Sequence, residues 1–247
     1  MTDEVEARAP LLVRRDGDVV VLTFNRPQRR NALDRTMFGA LTAQLRAADQ
    51  DPSVGAVVLT GAPPAFCAGA DLDELKTLSD DDPRALGPVF EELLDTLASM
   101  SVPLVAAVDG AAVGLGATLL LHCDVVVAGD SARLRFPFVA LGVTVEAGAG
   151  ALLPSLVGAQ QAARLLLTGC WVEADEAHEL GLVALRAPAA LPSAMEVAQS
   201  VAAQPREAVR TTRQLLAALR RPSVDAARAE EREAWSRLQN RRPHDPR

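Results

Sequence analysis

The chain has 247 residues, a mass of 26.1 kDa and a formal net charge of −7, from 25 Lys and Arg against 32 Asp and Glu. This length fits one large domain, or one domain with a helical appendage. The acidic balance argues against a nucleic-acid-binding protein, which needs a basic surface to displace counterions from phosphates. Hydrophobic residues make up 49% of the sequence, so the chain can bury a core and is not intrinsically disordered.

The cysteines and the apolar segments indicate the cellular compartment of the protein. Cys67, Cys123 and Cys170 are odd in number, widely spaced and set among apolar residues, which argues against a disulfide framework and against a metal site. The acidic N-terminus lacks the apolar centre of a signal peptide. The apolar stretch 102–123 contains Asp109 and several glycines, which favours a buried strand and turn over a membrane span. The sequence therefore predicts a cytoplasmic protein with no membrane, metal or nucleic-acid partner.

The first third of the chain predicts a hairpin, a helix and a buried strand. Apolar runs at 11–15 and 18–24 are typical of strands joined by a turn, and the loop NRPQRRNAL follows. Asp34 is placed to cap a helix that runs to about residue 49. A nearly all-apolar run at 55–60 indicates a strand buried on both faces. GAPPAFCAGAD then predicts a loop, and a helix starts at about Asp71.

The rest of the chain continues the alternation and then becomes helical. We expect strands at 103–108 and 124–128, and helices at 89–99, 115–122, 146–157, 159–168 and 174–180. The polar segment SDDDPRALGP is expected to border the substrate pocket. From 191 to about 239 the pattern is helical, with breaks near Pro205 and Pro222, and the last eight residues form a frayed tail. The sequence predicts an α/β core over 1–190 and an α-helical C-terminal subdomain over 191–247.

Two glycine-bearing turns are candidate sites. AFCAGADLDEL and AAVDGAAVGLGATLLL each read as strand, turn and helix start, where unpaired amides can bind an anion or a developing oxyanion. Each turn alone is weak evidence. A dinucleotide site is not favoured, because Leu119 stands where the third glycine belongs and no acidic residue follows at about 20 positions to hold a ribose.

Taken together, five segments resemble the enoyl-CoA hydratase/isomerase (crotonase) superfamily. They are NRPQRRNAL, AFCAGADL, VAAVDGAAVGLGA, HCDVVVAG and LGVTVEAGAGALLPSLVG, in the family's order and spacing. The resemblance implies a crotonase-like spiral of repeated ββα units with a C-terminal helical subdomain that trimerises. It also implies assembly as a homotrimer or a hexamer (a dimer of trimers). Substrates would be acyl-CoA thioesters, with CoA as part of the substrate and no separate cofactor.

The resemblance places an oxyanion hole at the backbone amides of Ala70 and Leu115, although the second position is usually glycine in the family. An enolate formed from a thioester gains negative charge on oxygen, which two helix-start amides are preorganised to receive. The resemblance assigns substrate contacts to Arg29, Arg30, Ala32, Phe66, Ala68, Gly69, Asp71, Leu72, Gly114 and Phe138.

Several of these residues have an alternative interpretation. Arg29 or Arg30 would meet CoA phosphates, or both are simply solvated on a loop. Asp71 is expected to cap a helix and to shape the CoA loop. Phe66 and Phe138 are expected to line the acyl pocket or to belong to the core.

The resemblance also bears on the reaction, because hydratases of this family use two carboxylates. The matching places here hold Thr118 and Phe138, so ordinary hydration is not predicted. Glu146 matches the catalytic glutamate of Δ3,Δ2-enoyl-CoA isomerases, and the apolar stretch 138–145 before it would raise its pKa. A helix N-terminus would oppose that shift. The alternative is a helix-starting acid that faces solvent.

The sequence thus predicts an enoyl-CoA isomerase in which Glu146 is both base and acid. The alternatives are a non-catalytic acyl-CoA binding protein and a hydratase or thioester hydrolase that uses Glu146 to activate water. Three nearby residues are expected to be structural: His122 as a core histidine, Asp124 as a backbone anchor at a strand start, and Cys67 as a small apolar side chain.

Overall fold

Ten strands in two sheets form the centre of the molecule, a computed structural model that describes residues 9–77 and 86–239. The strands are β1 Leu11–Asp16, β2 Val19–Phe24, β3 Ala56–Gly61, β4 Ala65–Cys67, β5 Leu104–Val108, β6 Ala111–Val113, β7 Val125–Gly129, β8 Arg133–Arg135, β9 Trp171–Glu173 and β10 Leu185–Ala187. The larger sheet has the order β1-β2-β3-β5-β7-β10 and is parallel except for β1 against β2. The smaller sheet has the order β4-β6-β8-β9 and is parallel except for β8 against β9.

Helices surround both sheets. They are α1 Arg35–Gln50, α2 Leu72–Thr77, α3 Leu86–Ser99, α4 Leu115–Thr118, α5 Ala149–Val157, α6 Ala159–Thr168, α7 Ala174–Glu179, α8 Ala190–Ala202 and α9 Arg206–Gln239, with 3₁₀ turns at Pro27–Arg29, Leu119–His122 and Val139–Leu141. The predicted cap of α1 is confirmed, since the Asp34 carboxylate accepts the Met37 amide at 2.9 Å. Within the described ranges, no helix is long and apolar enough to cross a membrane.

A repeated strand–strand–helix unit explains the two sheets. In β3-β4-α2 and again in β5-β6-α4, the first strand enters the larger sheet and the second enters the smaller one. The predicted α/β spiral is therefore confirmed. The sequence-based assignment of 65–67 and 111–113 to loops is wrong, because strands of three residues are too short to show the two-residue periodicity that identifies a strand.

The central strands of the larger sheet, β2, β3 and β5, are buried on both faces. Along β2, Val20, Leu22 and Phe24 point into the main core, whereas Val19 and Val21 point to the opposite face. That opposite face is covered by α8 through small side chains spaced four residues apart, namely Ala190, Ala194 and Ala198. Such spacing lets the helix lie close to the sheet. The predicted division of the chain at residue 190 stays a prediction.

Arginine side chains attach α9 to the rest of the molecule. Arg213 is 4% exposed; its Nε donates to the Asp124 carboxylate at 2.6 Å and a second nitrogen donates to the Met100 carbonyl. Asp124 also accepts the Leu104 amide at 2.8 Å, which confirms the predicted anchor at a strand start. Further along, Arg228 binds Glu91 and Asp95 of α3.

The predicted helix break near Pro222 is wrong, because α9 continues through this proline. A proline inside a helix costs about 3 kcal/mol through a lost hydrogen bond and a clash with the preceding turn. Contacts on both sides of it offset that cost: Ala217 and Val224 are buried, and Arg221 donates to the Ala98 carbonyl at 3.0 Å. The break near Pro205 is confirmed, since α8 ends at Ala202 and α9 begins at Arg206.

We predict that Asp124→Asn lowers the free energy of unfolding by about 3–5 kcal/mol, because it leaves the buried Arg213 cation without an anionic partner. Asp130→Asn is the matched control, since the Asp130 carboxylate is 66% exposed and pairs with Arg186 at the surface. This control should cost less than about 1 kcal/mol. Urea unfolding measures both variants, and equal losses would contradict the assignment of Asp124 as the anchor of α9.

Candidate active site

Two turns that follow neighbouring strands lie against each other at the ends of β4 and β6. The strands pair in parallel, with Ala65 opposite Ala111 and Cys67 opposite Ala112, so their carboxyl ends meet at one edge. Gly69 has a φ of +93°, and a Cβ there would lie 2.7 Å from the Val113 carbonyl oxygen and 3.2 Å from the Leu115 nitrogen. Only glycine allows both this φ and this approach. The two predicted oxyanion segments are therefore in direct contact.

The amide of Ala70 points away from the strand-like segment beside it. Leu33 donates its amide to the Gly69 carbonyl at 2.8 Å and accepts the Asp71 amide at 2.9 Å, in a parallel bridge. In such a bridge the residue between the two contacts directs its own N–H to the other side. In the described part of the chain, no hydrogen bond is donated by the Ala70 amide.

Leu115 supplies the second amide as the first residue of α4. Its N–H has no partner among the residues that the structure describes, as expected for a helix start. The Leu115 side chain is 1% exposed and packs in the main core. The preceding residue, Gly114, has a φ of +55° and no side chain to cap the helix. The Leu115 amide is thus left without an acceptor from the described part of the chain.

Cys67 belongs to the same turn but is not a nucleophile. Its Sγ accepts the Gly69 amide at 3.4 Å and it has no exposed surface. Burial raises the pKa of the Cys67 thiol to about 12, despite the hydrogen bond from Gly69. The thiol is therefore neutral at physiological pH and packs as a small apolar side chain, as predicted.

A loop over residues 26–33 lies beside the first turn and brings the predicted CoA contacts together. The Ala68 amide donates to the Arg30 carbonyl at 3.0 Å, and Ala32 is buried nearby. Sequence reasoning missed two residues that hold this loop. Arg26 donates to the Ala32 carbonyl at 2.5 Å. Asn31, in a left-handed conformation with a φ of +58°, donates to the carbonyls of 62 and 65.

The structure distinguishes the two candidate phosphate-binding arginines. Arg29 forms an exposed ion pair with Asp73 at 2.7 Å, whereas the exposed Arg30 side chain forms no hydrogen bond or ion pair with the described residues. Asp71 accepts the Asp73 amide at 3.2 Å at the start of α2 and contacts Arg26 at 3.1 Å, which confirms its role as a cap. The neighbouring Leu72 side chain is 49% exposed.

Thr118 and Phe138, which the family resemblance matches to the two hydratase carboxylates, are a hydroxyl and an apolar side chain. Thr118 is fully buried and its hydroxyl donates to the Leu115 carbonyl at 3.3 Å. Phe138 is 5% exposed. Phe66 has no exposed surface and packs edge-on against Phe24 at 5.5 Å between ring centroids. These contacts favour the core interpretation for Phe66 and Phe138.

Glu146 lies just before α5, and the prediction that it begins this helix is wrong. Ala147 and Gly148 both have left-handed backbones, with φ of +63° and +72°, so the helix begins at Ala149. Glu146 is half-buried in this turn. Desolvation by the surrounding apolar residues, together with the nearby charge of Glu231, raises the pKa of Glu146 to about 7.

Two residues far apart in the chain hold this turn, and sequence reasoning did not identify either role. His122, a buried histidine as predicted, lies 2.8 Å from the Ala147 carbonyl through Nε2. Since a carbonyl can only accept, Nε2 carries the proton. Glu231 of α9 accepts the amides of Gly148 at 2.7 Å and Gly150 at 2.8 Å. Both contacts span more than twenty residues, and no local pattern signals them.

Three parts of the chain named in the sequence analysis lie outside the described residues. They are the N-terminal eight residues, the C-terminal tail and the segment 78–85, which covers most of the expected pocket border. Across 9–77 and 86–239, no three His, Cys, Asp or Glu side chains gather as a metal site.

Comparison with known proteins identifies relatives over nearly the whole chain. The family described as enoyl-CoA hydratase/isomerase matches residues 14–244. The chain is 36% identical over 230 residues to a 2,3-dehydroadipyl-CoA hydratase of Escherichia coli, covering 92% of this chain and 89% of that protein. It is 39% identical over 215 residues to a probable enoyl-CoA hydratase of Mycobacterium tuberculosis, covering 86% and 83%. The crystal structure of an enoyl-CoA hydratase/isomerase from Pseudoalteromonas atlantica superposes with a TM-score of 0.87 at 33% identity, covering 93% and 91%.

We predict that Glu146→Gln stabilises the protein above about pH 7 and removes part of the pH dependence of stability. The folded protein keeps a proton on Glu146 between about pH 4.5 and 7, where the unfolded chain does not, so wild-type stability falls as pH rises through that window. The gain above it should be roughly 1–3 kcal/mol.

Urea unfolding across this pH range provides the measurement. Glu196→Gln serves as the matched control, because that glutamate is exposed on α8 and is solvated in both states. Parallel stability curves for wild type and Glu146→Gln would contradict the raised pKa of Glu146.

Proposed function

The chain belongs to the enoyl-CoA hydratase/isomerase family, and we propose that it shifts the double bond of an enoyl-CoA thioester from Δ3 to Δ2. It is an acyl-CoA enzyme of that family, and the specific reaction is our inference. The observation that carries it is which of the candidate catalytic positions hold a carboxyl group. Thr118 and Phe138 occupy the two hydratase carboxylate positions, while the half-buried Glu146 has a pKa of about 7. One carboxyl group that can gain and lose a proton near neutral pH is what a double-bond shift requires.

The proposed mechanism uses Glu146 twice and two backbone amides once. The Glu146 carboxylate removes a proton from C2 of the 3-enoyl thioester, and the electron pair moves onto the thioester oxygen to form a dienolate. The amides of Ala70 and Leu115 donate to that oxygen. The carboxyl group then returns the proton to C4, the double bond forms between C2 and C3, and the product leaves. Protons and electrons balance without a redox partner.

The loop 26–33 is proposed to bind the CoA portion. Ala32 and Ala68 present backbone groups to the adenine, and Arg30, whose side chain forms no hydrogen bond or ion pair with a described residue, meets a phosphate. A guanidinium fits phosphate oxygens with two parallel hydrogen bonds. Arg29 is already paired with Asp73 and is the weaker candidate. The exposed Leu72 side chain and the backbones of Gly69 and Gly114 border the same region.

Hydration is the main alternative, because the relatives named above are hydratases. A hydratase must activate water with one group and deliver a proton with another, and neither Thr118 nor Phe138 can exchange a proton usefully. Glu146 alone would have to do both, or would activate water to hydrolyse the thioester. An acyl-CoA binding protein without catalysis is the third possibility.

We predict that the protein converts 3-enoyl-CoA to the conjugated 2-enoyl-CoA, and that Glu146→Gln lowers kcat by roughly 10²–10⁴-fold with little change in KM, since the amide cannot accept the C2 proton. The acid limb of the kcat/KM profile should report a pKa near 7, with activity lost as Glu146 becomes protonated. Glu196→Gln is the control, because its side chain is exposed on α8.

Three outcomes would contradict this proposal. Turnover that survives Glu146→Gln would exclude it as the base. Rapid hydration of crotonyl-CoA would favour a hydratase, and tight acyl-CoA binding with no turnover of enoyl, hydroxyacyl or dienoyl thioesters would favour a binding protein. The absorbance of the conjugated thioester measures isomerisation and hydration, and titration calorimetry measures acyl-CoA binding.

We also propose assembly as a homotrimer or a dimer of trimers, in keeping with the family. Three leucines on α9 are more than 60% exposed, namely Leu215, Leu216 and Leu219, and burying them against another subunit would remove apolar surface from water. Light scattering should give three or six times the chain mass of 26.1 kDa. Leu216→Asp together with Leu219→Asp should reduce it. A monomeric mass at micromolar concentration would overturn this proposal.

A further inference from the structure

The turn that carries Glu146 lacks a local cap, and α9 supplies one. Gly148 precedes α5 and has no side chain to accept the free amides of the helix start. The Glu231 carboxylate accepts two of them, the Gly148 amide through Oε2 and the Gly150 amide through Oε1. Burial raises the pKa of Glu231, whereas the hydrogen bonds from the Gly150 and Gly148 amides act against that shift and favour the ionised carboxylate.

The surface of α9 is shaped to make this contact. Val224, Arg228 and Glu231 lie at i, i+4 and i+7, on one face of the helix, and all three are buried. A Cβ on Gly148 would lie 2.8 Å from Val224 Cγ1, and the φ of +72° at this position also favours glycine. The contact is therefore a packed interface between α9 and the turn, and Glu231 lies at its centre.

The same turn is strained and is held on its other side. Ala147 is a non-glycine residue with a φ of +63°, an unfavourable conformation that persists only where the surrounding structure imposes it. His122 binds the Ala147 carbonyl, and Glu231 binds the next amide along the chain. Together they hold the peptide group between Ala147 and Gly148 from both sides.

We propose that Glu231 is a positioning residue for Glu146, which fixes the turn that carries Glu146 and places a second negative charge beside it. This inference rests on the proposed function for its catalytic meaning. It ties the strength and the orientation of the base to the docking of the C-terminal helix.

The other charged groups near this turn leave Glu231 as the main charge that acts on Glu146. Arg228 of α9 lies beside Glu231, but its guanidinium is paired with Glu91 and Asp95 of α3. His122 faces the turn from the opposite side; burial lowers its pKa to about 4, with smaller effects from Arg220, Arg228 and Arg213, so it is neutral. Burial contributes most to the raised pKa of Glu146, and the charge of Glu231 contributes next.

The test compares Glu231→Gln, which removes the charge and keeps one acceptor oxygen, with Glu231→Asp, which keeps the charge and shortens the reach. Glu230→Gln is the matched control, an identical change at the next residue of α9, where the side chain is exposed. The assay is the pH dependence of kcat and KM with a 3-enoyl-CoA on the full chain.

Glu231→Gln should move the acid limb of the kcat/KM profile to lower pH by about one unit, because it removes a like charge beside the base. Glu231→Asp should leave the limb in place and lower kcat several-fold with KM unchanged. Glu230→Gln should behave as wild type. The proposal is overturned if the limb of Glu231→Gln coincides with that of Glu230→Gln, or if Glu231→Asp has wild-type kcat. The second criterion stands even if Glu231→Gln does not fold.

A readout independent of turnover separates this inference from the proposed reaction. The carboxyl band of Glu146, assigned in difference infrared spectra by its loss in Glu146→Gln, is titrated in wild type and in Glu231→Gln. A lower midpoint in Glu231→Gln supports the coupling even if no 3-enoyl-CoA is isomerised, in which case only the proposed function fails. An unchanged midpoint overturns the coupling even if the protein is an active isomerase.

Discussion

The parallel pairing of β4 with β6 is the interaction on which the candidate site depends. Each strand has only three residues, yet their alignment sets two turns side by side and leaves the amides of Ala70 and Leu115 without partners in the described chain. Glycine at position 69 is needed because the turns approach more closely than a Cβ allows. The rest of the fold, in which the strands from β3 to β8 enter the larger and the smaller sheet in turn, holds this pair in place.

Opposing influences act on Glu146, and their balance sets the pKa of its carboxyl group. The apolar surroundings and the Glu231 charge favour the protonated form, whereas a helix start would favour the ionised one. The structure resolves this opposition. Because Ala147 and Gly148 are left-handed, Glu146 precedes the helix and Glu231 occupies the amides that could have stabilised its charge. The same arrangement costs stability, as is common where a functional group is held in an unfavourable state.

Local sequence patterns predicted most of the long elements but not the contacts that assemble the site. The cap at Asp34 and the buried strands followed from local residue patterns, whereas the α/β spiral followed from the family resemblance. The strands β4 and β6 did not, because three residues carry no periodic signal. The continuation of α9 through Pro222 depends on tertiary contacts that offset the cost of proline. Glu231 acts across more than eighty residues, and as one of several acids on a charged helix it had no distinguishing pattern.

The central claim is that a single carboxyl group, Glu146, moves a proton between two carbons of a bound thioester. It is tested most directly with a 3-enoyl-CoA that carries deuterium at C2. Because the half-buried carboxyl returns the proton it has removed, we expect 2-enoyl-CoA with deuterium at C4, and formation of this product roughly 10²–10⁴-fold more slowly by Glu146→Gln. Product that carries no deuterium at C4, or that forms at the wild-type rate in Glu146→Gln, would contradict it.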